Sequence, residues 1–391
     1  MQDMLRHAHT HGYAVGAFDL VSLDFLAGVL VAAERCRAPV ILSLAESHFE
    51  YFDFDLLMPA VETAARRASV PVAIHLDHGA DLKSAVRAIN RGCNGVMVDA
   101  SERPFDENLR LTREVVTMAH SCGVPVEGEL GYVPGVEGED AERHPGEIAY
   151  TTVDEAKTYV DRTGIDFLAV SIGTVHGRMR GEPELDYRRL RQINEELGIP
   201  LVIHGGTGLS DDQFRRLIAN GVAKINYYTA LADAGGVAIR ENARENRNGG
   251  YTDLLRGVQD AVAEEVETCL HRWDAAGHAA EVLAECAPWL PVEHLIVYNV
   301  EESGAVGVEA MMAEGRWVLG AIPGVRDVVT GEAVRTDAAY RYTWLVRFCH
   351  TAVIDSYRDH PAHVAFADGH FRPVAGNRLT IDYRQTQGER L

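Results

Sequence analysis

The sequence predicts a closed barrel of eight β/α units followed by a small α+β domain. Three observations carry that expectation. Short β-branched runs recur eight times with helical stretches between them, ionisable residues gather where those runs end, and the pattern changes after residue 291.

The eight runs are "AVGAFD" (14–19), "PVILSLA" (39–45), "VPVAIHLDH" (70–78), "GVMVDAS" (95–101), "PVEGELG" (125–131), "FLAVSIG" (167–173), "PLVIHGG" (200–206) and "AKINYYT" (223–229). Strands joined by helices are parallel and buried on both faces, so near-continuous apolar runs are what they should look like. In such a barrel the reacting groups lie at the C-terminal strand ends. Asp19, Glu46, Asp77, His78, Asp99, Glu129, His204 and Asn226 obey that rule, and His176 follows just after "SIGTV". An apolar strand such as "AIHLDH" can therefore end on ionisable residues, because its end opens into a polar mouth. Adjacent residues of a regular strand face opposite sides, so Asp77 and His78 share the mouth only if the strand breaks there.

Two connections are unusual. The segment "GYVPGVEGEDAERHPGEIAY" after strand five is rich in Gly, Pro and acids without an apolar period, and it reads as a lid. After strand eight, "NARENRNGG" interrupts a helix before a helical stretch from Tyr251 to about Cys286.

The length of 391 residues divides most simply into a barrel over 1–286 and a second domain over 292–391. Acidic residues outnumber basic ones 58 to 37, for a net charge of −21, which opposes general affinity for nucleic acid or anionic membrane. No apolar run is long enough to cross a bilayer, and no secretory signal is apparent at the N-terminus. A cytoplasmic protein is expected. Six cysteines without a C-x-x-C pair argue against a thiolate zinc site or a disulfide framework.

His78, His176 and His204, on three separate strand ends, can converge on one Zn²⁺ and leave a fourth position for water or substrate. The run "HGGTGLSDDQF" places Gly205, Gly206, Thr207 and Gly208 before Ser210, which forms an S-x-x-Q capping box with Gln213. That combination predicts a helix N-terminus suited to an anion, most naturally phosphate. The chain has only three lysines, Lys83, Lys157 and Lys224. The last lies low in strand eight, which favours a metal over a Schiff base as electron sink.

"HLDHG", "VMVDAS", "ELG", "SIGTVHG", "LVIHGGTGL" and "KINYYT", in that order, resemble the class II, metal-dependent fructose- and tagatose-bisphosphate aldolases. The resemblance runs from the N-terminus to about 279. It implies a zinc site of His78, His176 and His204, with Asp77 as acid/base group for the aldehyde oxygen and Glu137 in the mobile loop as proton-abstracting base. It implies also that Asp99 and Glu129 border the metal or hold an alternate metal position. Gly177, Gly205, Gly206, Thr207, Asn226 and Thr229 would bind the donor's phosphate and hydroxyls, with a monovalent cation near the phosphate. The implied reaction is reversible cleavage of a phosphorylated ketose into dihydroxyacetone phosphate and an aldehyde through a zinc-stabilised enediolate. Departures from the family pattern are Asp19 where relatives carry Asn, Ala45 where many carry Ser, and Tyr227 with Tyr228 in place of a smaller pair. These changes keep open a modified or non-phosphorylated sugar, or a barrel that binds a sugar phosphate without turnover.

From 292 onward the order β-α-β-β-α-β is ferredoxin-like. "YRDHPAHVAF" resembles the stress-responsive α/β-barrel (Dabb) family, whose members commonly dimerise through their sheets. Assembly into a homo-oligomer, a dimer or tetramer, is the role expected of this part. His360, His363 and His370 are a further histidine group there, read chiefly as surface or interface residues.

Overall fold

The computed structural model describes residues 1–135, 148–178, 183–300 and 307–384. Eight parallel strands close into a barrel in sequential order, β1 pairing with β8. They are β1 (Val15–Asp19), β2 (Val40–Ala45), β3 (Val72–Gly79), β4 (Gly95–Val98), β5 (Val126–Leu130), β6 (Phe167–Val170), β7 (Leu201–Ile203) and β8 (Val222–Tyr227). Helix α1 (Gln2–His11) precedes β1. After successive strands come α2 (Leu23–Cys36), α3 (Phe54–Arg67), α4 (Leu82–Arg91), α5 (Phe105–Ser121), α6 (Val153–Thr163), α7 (Tyr187–Leu197), α8 (Asp211–Ile218) and α9 (Thr229–Glu245). Then follow α10 (Tyr251–Leu254), α11 (Val258–Arg272) and α12 (Ala279–Glu285).

Local chemistry starts the helices where they are needed. The Ser22 hydroxyl accepts from the Phe25 N–H at 3.3 Å and opens α2, whose Phe25, Leu26, Val29, Ala32 and Ala33 are buried. Arg37 then ends it in a left-handed conformation. All six residues of β2 and all six of β8 are buried, as expected for parallel strands covered on both faces.

The barrel interior carries charge as well as hydrocarbon. Lys224, low in β8 as its parity with Asn226 predicts, is fully buried and donates to Glu127 at 2.7 Å. It does not reach the mouth as a free amine. Outside the strands Trp273 is fully buried, its ring stacked on Phe18 at 5.8 Å and edge-on to Phe214 and Tyr227.

The chain divides into two compact units: Met1–Ala85 with Cys93–Val116 and Pro125–Ala287, and the residues from Pro288 onward with Val86–Gly92 and Thr117–Val124. In the second unit β9 (Val292–Val300), α13 (Val308–Gly320), β10 (Val325–Glu332), β11 (Tyr342–Phe348), α14 (Val353–Arg358), α15 (Pro361–Phe366) and β12 (Ala375–Arg384) follow in the expected order. Their antiparallel sheet runs β10-β11-β9-β12, which is the ferredoxin-like arrangement. One row across it, Val329, Leu345, Leu295 and Ile381, is apolar. The opposite face buries Trp344, Val346 and Phe348.

The histidines of this unit do different jobs. The His360 side chain caps α15 by accepting from Ala362 N–H, His363 Nδ1 donates to Arg358 O and packs on Tyr357, and His370 lies 3.6 Å from Glu314. No metal-ligating group among the described residues includes them.

Replacing Trp273 by Ala removes a buried ring from between β1, β8 and α8. Urea unfolding should show a loss of about 3–5 kcal/mol, with the barrel transition moving to lower denaturant.

Candidate active site

Strand β3 does break. His78 adopts φ 46°, and the pairing of β3 with β4 shifts register between Leu76 and Gly79. A non-glycine residue in that region costs on the order of 1–3 kcal/mol and persists only where its surroundings enforce it. The consequence is that Asp77 and His78, neighbours in sequence, both reach the mouth, with His78 Nε2 3.9 Å from Asp77 Oδ2.

The three predicted imidazoles converge. His78 lies 4.7 Å from His204 and 5.2 Å from His176 between ring centroids, and His176 lies 5.7 Å from His204. Each ring has one nitrogen engaged on the outside. His78 Nδ1 meets Asp99 Oδ2 at 2.7 Å, His176 Nδ1 meets Val133 O at 3.0 Å, and His204 Nε2 meets Glu127 Oε1 at 3.0 Å. An imidazole that donates from one nitrogen presents a lone pair at the other. The remaining nitrogens are His78 Nε2, His176 Nε2 and His204 Nδ1, and the three residues offer ligand atoms that all lie within 4.8 Å of one another.

Two contacts test whether that space suits a cation. His204 Nδ1 faces His78 Nε2 at 3.0 Å, a repulsive meeting of lone pairs unless a proton or a metal ion lies between them. His176 Nε2 is buried without a hydrogen-bond partner. Against burial, Asp77 and Asp99 raise the pKa of His78 well above the usual imidazole range, so this ring holds a positive charge that a bound cation would replace. Three ring nitrogens with their opposite nitrogens anchored are the donor set and outer support of a three-histidine Zn²⁺ site.

The acids divide by environment. Burial works against charge on Asp77, but His78, His204 and Lys224 outweigh it and hold its pKa down to about 2. Asn226 donates to Asp77 Oδ1 at 2.9 Å and steadies it. Asp99 accepts from His78 and, through its other oxygen, from the Ser101 N–H and hydroxyl. Its oxygens are thus engaged in orienting His78. Burial and then the charge of Asp99 raise the pKa of Glu129 well above the usual carboxylate range, so this buried acid keeps its proton. His78, Asp99 and Glu129 also form a possible second ligand group.

Glu127 was missing from the sequence reading although it shares parity with Glu129. Burial opposes its charge, yet Lys224 and hydrogen bonds from His204 and His75 hold its pKa well below the usual range. The chain Lys224, Glu127, His204 runs up through the barrel core and selects Nδ1 as the inward nitrogen of His204. A second omission is His48, on the short 3₁₀ turn Glu46–Glu50 that continues β2. Glu46 itself accepts from Ala80 N–H and the Ser84 hydroxyl, and so supports the loop after β3.

Gly177, Gly205, Gly206, Thr207, Asn226 and Thr229 all lie at the C-terminal end of the barrel, on or just after β6, β7 and β8. A Cβ on Gly205, at φ 71°, would stand 2.1 Å from Val175 O, so glycine lets the loop after β7 press on the loop carrying His176. The capping box of α8 forms between Ser210 and Gln213. It engages the amides of Ser210 and Gln213, and Asp211 and Asp212 add negative charge to the same turn. At the start of α9 the N-cap Tyr228 makes no side-chain cap and the first turn holds no acid, so this helix too turns its positive pole to the mouth, here uncompensated. Tyr227 turns outward, donating to Glu265 at 2.9 Å beside Trp273, so it packs and does not narrow the mouth. Tyr228 is the one that faces His48, at 4.3 Å. Glu137 lies outside the described residues.

A family model for class-II fructose-bisphosphate aldolase matches residues 1–278, well over half of the chain. The chain belongs to the class-II fructose-bisphosphate aldolase family. A second model, for the stress responsive A/B barrel domain, matches residues 292–385. The fructose-bisphosphate aldolase of Geobacillus stearothermophilus is 39% identical over 286 residues, covering 72% of this chain and 98% of that protein. The fructose-bisphosphate aldolase of Staphylococcus epidermidis is 40% identical over 244 residues, covering 62% of this chain and 84% of that one. Among solved structures, the YdjI aldolase of Escherichia coli K12 is similar with a TM-score of 0.62 and 33% identity, covering 71% of this chain and 98% of its own.

The anchoring of His204 yields an expected outcome. Glu127→Gln should weaken divalent-metal affinity by roughly 10–100-fold. Competition against a chromophoric chelator measures it, and unchanged affinity would show that the Lys224–Glu127 pair is packing alone.

Proposed function

We propose that this aldolase is Zn²⁺-dependent and reversibly cleaves a phosphorylated ketose into dihydroxyacetone phosphate and an aldehyde. The observation that carries the reading is the convergence of three imidazole nitrogens beside the buried carboxylate of Asp77. A Zn²⁺ held by His78, His176 and His204 would supply Lewis acidity to the carbonyl and adjacent hydroxyl of the donor half.

The chain's own residues handle the protons. In the cleavage direction ionised Asp77 accepts the proton of the hydroxyl that becomes the aldehyde oxygen. The carbon-carbon bond then breaks, and its electron pair passes to the donor half as an enediolate. Glu137 would return a proton to that carbon. In synthesis each step reverses, with Glu137 removing the donor proton and Asp77 delivering one to the aldehyde oxygen. Support for Glu137 is the resemblance. The donor's phosphate would lie at the N-terminus of α9, among Gly177, Gly205, Gly206, Thr207, Asn226 and Thr229, with a monovalent cation alongside. A barrel that only binds sugar phosphate has no use for a buried, charged carboxylate at the metal pocket.

A homo-oligomer belongs to the same proposal, with a domain boundary between 286 and 292 and a cytoplasmic location. The sheet of the second unit supports assembly, since Val329, Leu379 and Ile381 are 47%, 50% and 47% exposed on its open face. None of the described cysteines forms a disulfide, and no described helix is long and apolar enough to cross a membrane.

Retro-aldol assays over ketose mono- and bisphosphates test the chemistry. A chelator should abolish cleavage and Zn²⁺ restore it, while Asp77→Ala should retain the metal and lose about 10²–10⁴-fold in turnover. An unchanged Asp77→Ala rate would overturn the mechanism. Separately, Ile381→Asp should shift sedimentation toward the monomer with cleavage chemistry intact at the barrel; an unchanged particle would remove the sheet from the interface.

A further inference from the structure

Among the described residues, His48 is a buried polar side chain of the mouth that neither the metal pocket nor the phosphate site uses. His48 is only 4% exposed, and its Nδ1 is buried with no hydrogen-bond partner among the described residues. Leaving such an atom unpaired costs about as much as a lost hydrogen bond, so its persistence points to a partner that arrives with the substrate.

Its location says which part of the substrate that is. The turn bearing His48 follows β2 directly, and the last residue of β2, Ala45, pairs in register with Asp77. The turn thus stands on the Asp77 side of the mouth, and burial holds the imidazole below its usual pKa and so neutral. A neutral imidazole offers one donor and one acceptor, which suits a hydroxyl better than a phosphate. The ring packs on Tyr228 at 4.3 Å and 45°, so its orientation is held from the α9 side.

We infer that His48 is a specificity residue that hydrogen-bonds a hydroxyl of the aldehyde half of the sugar. This rests on the reading in which Asp77 serves the aldehyde oxygen, because that assignment places the aldehyde carbons beside the β2 turn. The preferred acceptors are accordingly hydroxyaldehydes. A site built to pair a hydroxyl rejects the analogue that lacks it, because its own polar atom is then left unpaired.

The test is condensation of dihydroxyacetone phosphate by the full-length, Zn²⁺-loaded enzyme with glyceraldehyde or with propionaldehyde, which has the same carbon chain without hydroxyls. Wild type should favour glyceraldehyde. His48→Ala should lower kcat/KM for glyceraldehyde by about tenfold and leave propionaldehyde nearly unchanged. His48→Asn, which keeps a polar atom near the Nδ1 position, should recover part of the preference. Equal losses on both aldehydes in both variants would mark His48 as structural, and no loss on either would leave it without a role; each overturns the inference while the aldolase stands. Failure of wild type to condense either aldehyde would overturn the reading of the reaction, and the assignment of His48 with it.

Discussion

Everything at the mouth depends on a single backbone departure. A regular β3 would send Asp77 into the barrel and His78 into the helix layer, or the reverse. The left-handed conformation at His78 and the slip of register before Gly79 turn both inward. The surroundings sustain the strain. Asp99 holds the outer nitrogen of His78, and Glu46 on the next loop receives the amide of Ala80 just beyond the break. Adjacent side chains could not otherwise face the same space, and there the Asn226 amide that donates to Asp77 and the buried Lys224 help to keep that carboxylate ionised inside the protein.

Charge inside the barrel is arranged in two layers with different tasks. The lower layer, His75, Glu127 and Lys224, is fully buried, and its one strong pair is closed on itself. Such a pair adds little stability against a hydrocarbon core of equal volume. Its contribution is to hand a fixed acceptor upward to His204, so that ring orientation is set from below and not by whatever occupies the mouth. The upper layer is left with inward-facing nitrogens and a carboxylate, the groups that a reaction needs unengaged.

Much of this was legible in the sequence, for identifiable reasons. Eight β-branched runs with helices between them specify a parallel barrel, and polar residues at run ends specify its mouth. The three histidines and Asp77 stood out because each ends or follows a strand. Glu127 did not, since it lies mid-strand in "PVEGELG" and only its parity with Glu129 marks it as inward. His48 was passed over because it sits three residues beyond its strand, on a turn whose helical geometry carries it back over the opening. The start of α9 escapes notice for a subtler reason. The Ser210 and Gln213 pattern marks the start of α8 in the sequence, while the start of α9, which has no side-chain cap, leaves no motif.

The protein's net charge of −21 bears on both helix starts. An anionic substrate approaching such a surface is not drawn in by the field as a whole, so its affinity must come from fixed local dipoles. The start of α8 offers two carboxylates in its first turn, and the start of α9 offers none. Of two helices that begin at the same end of the barrel, only the second presents its positive pole without a counter-charge of its own. The same logic separates the two halves of the mouth. The α9 side can hold an anion through backbone amides, whereas the β2 and β3 side, with Asp77 ionised and His48 neutral, is suited to hydroxyl groups. The two sides of the mouth thus differ in the polar groups they can accommodate.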